Sequence, residues 1–108
     1  MKKDPLIFIA HILECINDID TYTNGMNLEA FLQNKMAQDA VIRKFEIIGE
    51  AAKNVSKEFR ELHANIPWKR MAGLRDKLIH QYMGVDLAAI WTTIEEVLPR
   101  LKKELEKL

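Results

Sequence analysis

The stretch Arg75-Asp76-Lys77-Leu78-Ile79-His80-Gln81-Tyr82 places a guanidinium, an imidazole and a phenol within about two helical turns. Together these groups can bind and cleave a phosphodiester without a metal. RNA brings its own nucleophile, the 2′-hydroxyl, so cleavage needs a proton acceptor, a donor to the leaving oxygen and positive charge on the phosphate. An imidazole exchanges protons near neutrality, and the forked donors of an arginine suit phosphate oxygens. Projected at about 100° per residue, Arg75 and Tyr82 fall on one line flanked by Met71, Ala72, Leu78 and Ile79. An unpaired charge in an apolar stripe is costly, so an anion or a second subunit is the expected partner of Arg75. His80 lies about 140° from Arg75 on an ideal helix. Either the helix is irregular near Gly84, or another protomer completes the site. Asp76 precedes His80 by four residues, on the same face, where its carboxylate could orient the imidazole and favour its protonated form. Taken alone, residue chemistry favours an ion-paired Arg75, a surface His80 held by Asp76, and Tyr82 at the edge of a core.

These residues need a scaffold, and 108 residues suffice for one domain, 1–108, with a single core. The 16 basic and 16 acidic residues cancel, so nucleic acid is not attracted by net charge. Any RNA contact must be local. Between Trp68 and Gly84, Lys69, Arg70, Arg75 and Lys77 outnumber the lone Asp76, which makes Lys69, Arg70 and Lys77 candidate RNA contacts. Cys15 is the only cysteine, so neither an intrachain disulfide nor a cysteine-based zinc site can form, and a cytoplasmic setting is expected. Lys2 and Lys3 before the apolar run Leu6 to Ile16 superficially resemble a signal peptide. His11 and Glu14 interrupt that run, and Asp4-Pro5 reads as an N-cap followed by proline at the first helical position. No other apolar run approaches bilayer length. No membrane association is expected.

Scarce glycine and proline and the absence of strand-like alternation predict an all-α fold with four to five main helices. The first helix spans Pro5 to Tyr22, with apolar faces broad enough to suggest a central position, and ends at Thr23-Asn24-Gly25. A short helix, Leu28 to Leu32, follows Asn27. The second long helix starts after Asn34 and carries Val41, Phe45, Ile48, Ala52 and Val55, with Gly49, Ala51 and Ala52 permitting close packing. Ser56 caps a continuation from Lys57 to His63, before a break at Ile66-Pro67. Trp68 opens the helix bearing the chemistry, which stops at Gly84. Asp86 caps the last helix, whose Leu87, Ile90, Ile94, Val97, Leu101, Leu105 and Leu108 form a seam. Pro99 should kink it near Glu95, and the charged segment beyond should fray.

The blocks Ile66-Pro67-Trp68, Ala72-Gly73-Leu74-Arg75-Asp76-Lys77-Leu78-Ile79-His80-Gln81-Tyr82, Gly84-Val85-Asp86 and Ile90-Trp91, with Ile48-Gly49-Glu50-Ala51-Ala52, resemble the HepT-type HEPN ribonuclease toxins. The likeness runs over nearly the whole chain. Gln81 departs from it, standing where relatives often have glycine. The resemblance implies a HEPN-type helical bundle that forms a homodimer, with motifs of both protomers lining one cleft. It also implies metal-independent RNA cleavage, for which Arg75 and His80 are the catalytic candidates with Asp76 in support by its spacing, and it leaves open whether the RNA is transfer or messenger. Neither a cofactor nor a metal is implied. The usual partner is a nucleotidyltransferase antitoxin that silences the toxin by AMPylation of the motif tyrosine, here Tyr82. The product expected of 2′-hydroxyl attack is a 2′,3′-cyclic phosphate.

Other polar residues carry blander readings. His11 and His63 have no ligand-spaced companions, and Glu46 and Glu50 lack the Glu-x-x-His of a di-iron bundle, with Arg43, Lys53 and Asn54 placed to neutralise them. Trp68 and Trp91 read as packing residues, and the Lys102 to Lys107 charges as a solvated face. Two other functions compete with an RNA endonuclease: a non-catalytic helical partner or regulatory subunit of a nucleotidyltransferase, and a plain assembly protein.

Overall fold

The protein, seen in a computed structural model, is described over residues 4–80 and 86–108, with side chains for 4–74 and 86–108. The helices are α1 (Pro5–Tyr22), α2 (Leu28–Leu32), α3 (Lys35–Asn54), α4 (Lys57–Leu62), α5 (Trp68–His80), α6 (Leu87–Thr92) and α7 (Leu98–Glu106). A π-helical segment, Thr93–Val97, joins α6 to α7. The described residues contain no strand, so the fold is an all-α bundle of four long helical spans, with α2 and α4 as short connectors.

Side chains set most of the helix starts. Asp4, Asn27, Asn34, Ser56 and Asp86 each accept a hydrogen bond from an amide two or three residues ahead, at 2.8–3.2 Å. Each satisfies one of the donors that a helix N-terminus leaves unpaired. Gly25, at φ +78, makes the turn after α1 in a backbone conformation that residues with a Cβ rarely adopt.

The middle of the bundle belongs to α3, which packs against α1 on one side and α5 on the other. The breadth of its apolar faces had suggested α1 for that place. Instead α1 buries Ile9, Ile12, Cys15, Ile16 and Ile19 and leaves Leu6 and Ile7 about half exposed, at 48% and 49%. Residues Val41, Phe45, Ile48, Gly49, Ala51 and Ala52 of α3 are buried. Each isoleucine or valine removed from water there contributes about 1.5–3 kcal/mol. Lys44 Nζ meets Asp18 Oδ2 at 2.9 Å, tying α3 to α1. The Phe31 ring from α2 lies 5.2 Å from that of Trp91 on α6, which fastens the short connector to the last span.

Near Glu95, where a kink was expected from Pro99, the helix changes to a π turn. Without an amide on Pro99 the α-ladder cannot pass, and the helix before it widens. The Leu98 amide bonds the Thr93 carbonyl five residues back, the spacing of a π turn. The extra residue keeps Ile90, Ile94, Leu98, Leu101 and Leu105 all buried. Beyond Pro99 the chain stays helical to Glu106, contrary to the expected fraying, because Leu101 and Leu105 anchor it in the core.

Candidate functional site on α5

Helix α5 is fixed at its start by aromatic packing. Trp68 is buried and its Nε1 donates to the His63 carbonyl at 3.0 Å. Phe59 stands between His63 and Trp68, with ring centroids 4.5 and 6.2 Å away. Both tryptophans are therefore packing residues, and His63 is part of the same cluster. One turn further, Met71 is buried against α3. From this anchored start the backbone runs as uninterrupted α-helix to His80. Positions 75 and 80 thus sit on one regular helix, about 7.5 Å apart along its axis and about 140° apart around it. No irregularity between them turns the two positions toward each other.

The side chains of Arg75, Asp76, Lys77 and His80 lie outside the described residues, and Tyr82 lies outside them altogether. The alignment of Arg75 with Tyr82 and the pairing of Asp76 with His80 fall outside them too. Of the candidate RNA contacts that are described, Lys69 and Arg70 are both exposed.

Arg70 stands at a cavity of about 760 Å³ enclosed by α3, α5 and the α6–π–α7 span. Phe45 and Ile48 of α3, Met71 of α5, and Ile90, Leu98 and Leu101 of the last span give it an apolar interior. Asp86, Thr93 and Glu96 join Arg70 among its polar residues. The Asp86 carboxylate is engaged in capping α6, accepting from the Ala89 amide at 3.0 Å. The Thr93 hydroxyl donates to the Ala89 carbonyl at 2.9 Å. Nothing in the sequence marked Glu96 or Thr93 as lining a cavity beside the motif helix. Their orientation depends on the π turn, which a local motif does not encode.

A second, smaller cleft of about 380 Å³ lies between α1 and α3 and includes Phe8, His11, Arg43, Glu46, Glu50 and Asn54. Arg43 pairs with Glu46 at 3.4 Å, as expected from their spacing. Asn54 instead donates to the Glu50 backbone carbonyl, one turn back, and not to a carboxylate. Among the described residues no group of three or more His, Cys, Asp or Glu side chains could hold a metal ion, and no helix is long and apolar enough to cross a membrane.

Two groups on the α1–α3 contact have displaced proton affinities. Burial pushes the Cys15 thiol up from its ordinary 9.0, against the opposing pull of Lys44. A hydrogen bond to Asp18 holds the Lys44 ammonium above its ordinary 10.5.

The family model described as "Ribonuclease HepT-like" matches residues 12–108. A Thermococcus cleftensis protein named "Probable ribonuclease HepT" is 47% identical over 108 residues, covering 100% of this chain and 98% of that protein. A Methanocaldococcus jannaschii protein named as a candidate RNase is 47% identical over 107 residues, covering 99% of this chain and 88% of its own. Another protein of that organism, named as a gamma-glutamylcyclotransferase and candidate RNase, is 48% identical over 108 residues, which cover 49% of its length. No solved structure matches significantly.

Proposed function

Because the chain belongs to the ribonuclease HepT-like family, we propose that it is an RNA endonuclease, the toxin of a toxin–antitoxin pair, whose cleft is built by two protomers. The observation that carries this reading is the regular α5 backbone. It spaces positions 75 and 80 in a way that suits an Arg75 and a His80 contributed by different chains to one phosphodiester. Arg75 would hold the scissile phosphate and stabilise the charge that develops on its oxygens. His80 would take the proton of the attacking 2′-hydroxyl or supply one to the leaving 5′-oxygen, with Asp76 orienting it. No metal enters the scheme, and the product is a 2′,3′-cyclic phosphate.

Regulation follows from the same motif. A nucleotidyltransferase antitoxin would transfer AMP from ATP to the Tyr82 hydroxyl with release of pyrophosphate, adding bulk and negative charge where the RNA phosphate must bind, so repulsion would oppose substrate. Lys69, Arg70 and Lys77 would guide the RNA, a contribution that weakens with salt.

The test is RNA cleavage by the purified protein with a chelator present. Activity should persist in chelator and fall by at least about a hundredfold in His80→Ala and in Arg75→Ala. Undiminished cleavage by both variants would refute the site. Incubation with the partner and ATP should place AMP on Tyr82 and leave Tyr82→Phe unmodified, and an adduct elsewhere would refute the regulatory step. Tight complex formation with inactivity toward every RNA class would instead favour a non-catalytic partner subunit.

A further inference from the structure

Resting on the ribonuclease reading above, we infer that the cavity between α5 and the π segment is a recognition pocket for a guanine base of the RNA, read by the Glu96 carboxylate. Its volume of about 760 Å³ falls within the range of small-molecule sites, about 300–1,000 Å³. Leu74 and Val97 are the partly exposed apolar residues that a planar ring would meet, above a floor of buried Met71, Ile90 and Leu98. Met71 lies one turn, or about 6 Å of rise, before position 75. A base lodged there sits within a nucleotide's reach of the motif.

The polar groups select the base. Among the described residues Glu96 makes no hydrogen bond or ion pair, and it is exposed where it lines the cavity. Asp86 is committed to its cap, and the Thr93 hydroxyl proton to the Ala89 carbonyl. Among the described lining residues Glu96 is therefore the uncommitted acidic group, and its carboxylate offers two acceptor oxygens. Guanine is the base whose Watson–Crick edge presents two adjacent donors, N1–H and the N2 amino group, in the spacing of a carboxylate. Adenine and cytosine set a ring nitrogen lone pair beside their amino group, which a carboxylate repels. Uracil offers one N–H between two carbonyls. Arg70, on the same cavity, supplies a cation for the flanking phosphate.

The intact protein is given a random-sequence RNA, and the cut sites are mapped. Guanine should be enriched at one fixed position beside the cut, and Glu96→Gln should reduce that enrichment by about ten- to a hundredfold, the worth of a bidentate base contact. Replacing that guanine by inosine, which lacks the N2 amino group, should weaken cleavage by the native protein and have little further effect on Glu96→Gln. Cleavage without base preference, or an enrichment untouched by Glu96→Gln, overturns the pocket. Should the protein cut no RNA, the ribonuclease reading falls separately, and binding decides the pocket. Guanosine 5′-monophosphate, titrated against adenosine 5′-monophosphate, should perturb the Met71 and Ile90 methyl resonances preferentially, and lose that preference in Glu96→Gln. Equal perturbation by the two nucleotides overturns it.

Discussion

If Arg75 and His80 serve one phosphodiester from different chains, two dead variants should revive each other. On the regular α5 helix the Cα atoms of positions 75 and 80 are about 9 Å apart, combining about 7.5 Å of rise with about 140° of rotation. The reacting 2′-oxygen and the phosphate oxygens lie within about 3 Å of each other, whereas positions 75 and 80 stand on faces of the helix about 140° apart. In a symmetric dimer the shared cleft then holds two pairs, each with Arg75 from one protomer and His80 from its partner. Arg75→Ala and His80→Ala are purified, unfolded together, refolded at equal concentrations and assayed on RNA. About half of the dimers are mixed, and each mixed dimer keeps one complete pair and loses both members of the other. Activity should recover to about a quarter of the native level, against nearly none for either variant alone. If Arg75 and His80 of one chain formed the site, every pair in every mixed dimer would lack a group. A mixture as inactive as its components, with mixed dimers confirmed by mass, refutes the composite cleft.

Phe31→Ala should cost about 3–5 kcal/mol in urea unfolding, because Phe31 is fully buried and its ring contact holds α2 to Trp91; a loss below about 1 kcal/mol would show that α2 is dispensable. The raised Cys15 pKa fixes a sign. In the unfolded chain the thiol ionises near 9.0, and in the folded chain only at higher pH, so stability is full below pH 9 and declines as pH rises through the folded value. Cys15→Val should flatten that alkaline slope between pH 8 and 10. The Asp18–Lys44 pair has the same sense at higher pH, since Lys44 is raised above 10.5 in the fold. Asp18→Asn should lower stability at pH 7 by less than about 1 kcal/mol, reduced further by salt, since both side chains are partly exposed.

Much of the fold could be read from short local signals. Asp4-Pro5 and Thr23-Asn24-Gly25 bracket α1, Asn27 opens α2, Asn34 opens α3, Ser56 opens α4 and Asp86 opens α6. Each signal involves atoms within a few residues of one another, so the sequence displays it directly. The centrality of α3 was not legible, because periodicity reveals how wide an apolar face is but not which neighbour covers it. Pro99 announced a disturbance, yet its resolution as a π turn depended on what keeps Leu101 and Leu105 in the core. The same limit hid Glu96: its cavity exists only once α3, α5 and the last span are assembled. The motif residues were legible by type and spacing. Between positions 75 and 80 the α5 backbone is uninterrupted, while Gly84, where an irregular helix was the other expected way for them to meet, lies outside the described residues.

The most extensive packing, α1 on α3 and α3 on α5, joins long helices that follow closely along the chain. Folds dominated by such near-neighbour contacts form within microseconds to milliseconds. A ribosome adds about 5–20 residues per second, so synthesis rather than folding sets the pace. A chain that folds so quickly is an unfolded polymer for little longer than it takes to make. Under the toxin reading proposed above, a restraining partner would therefore meet a folded surface.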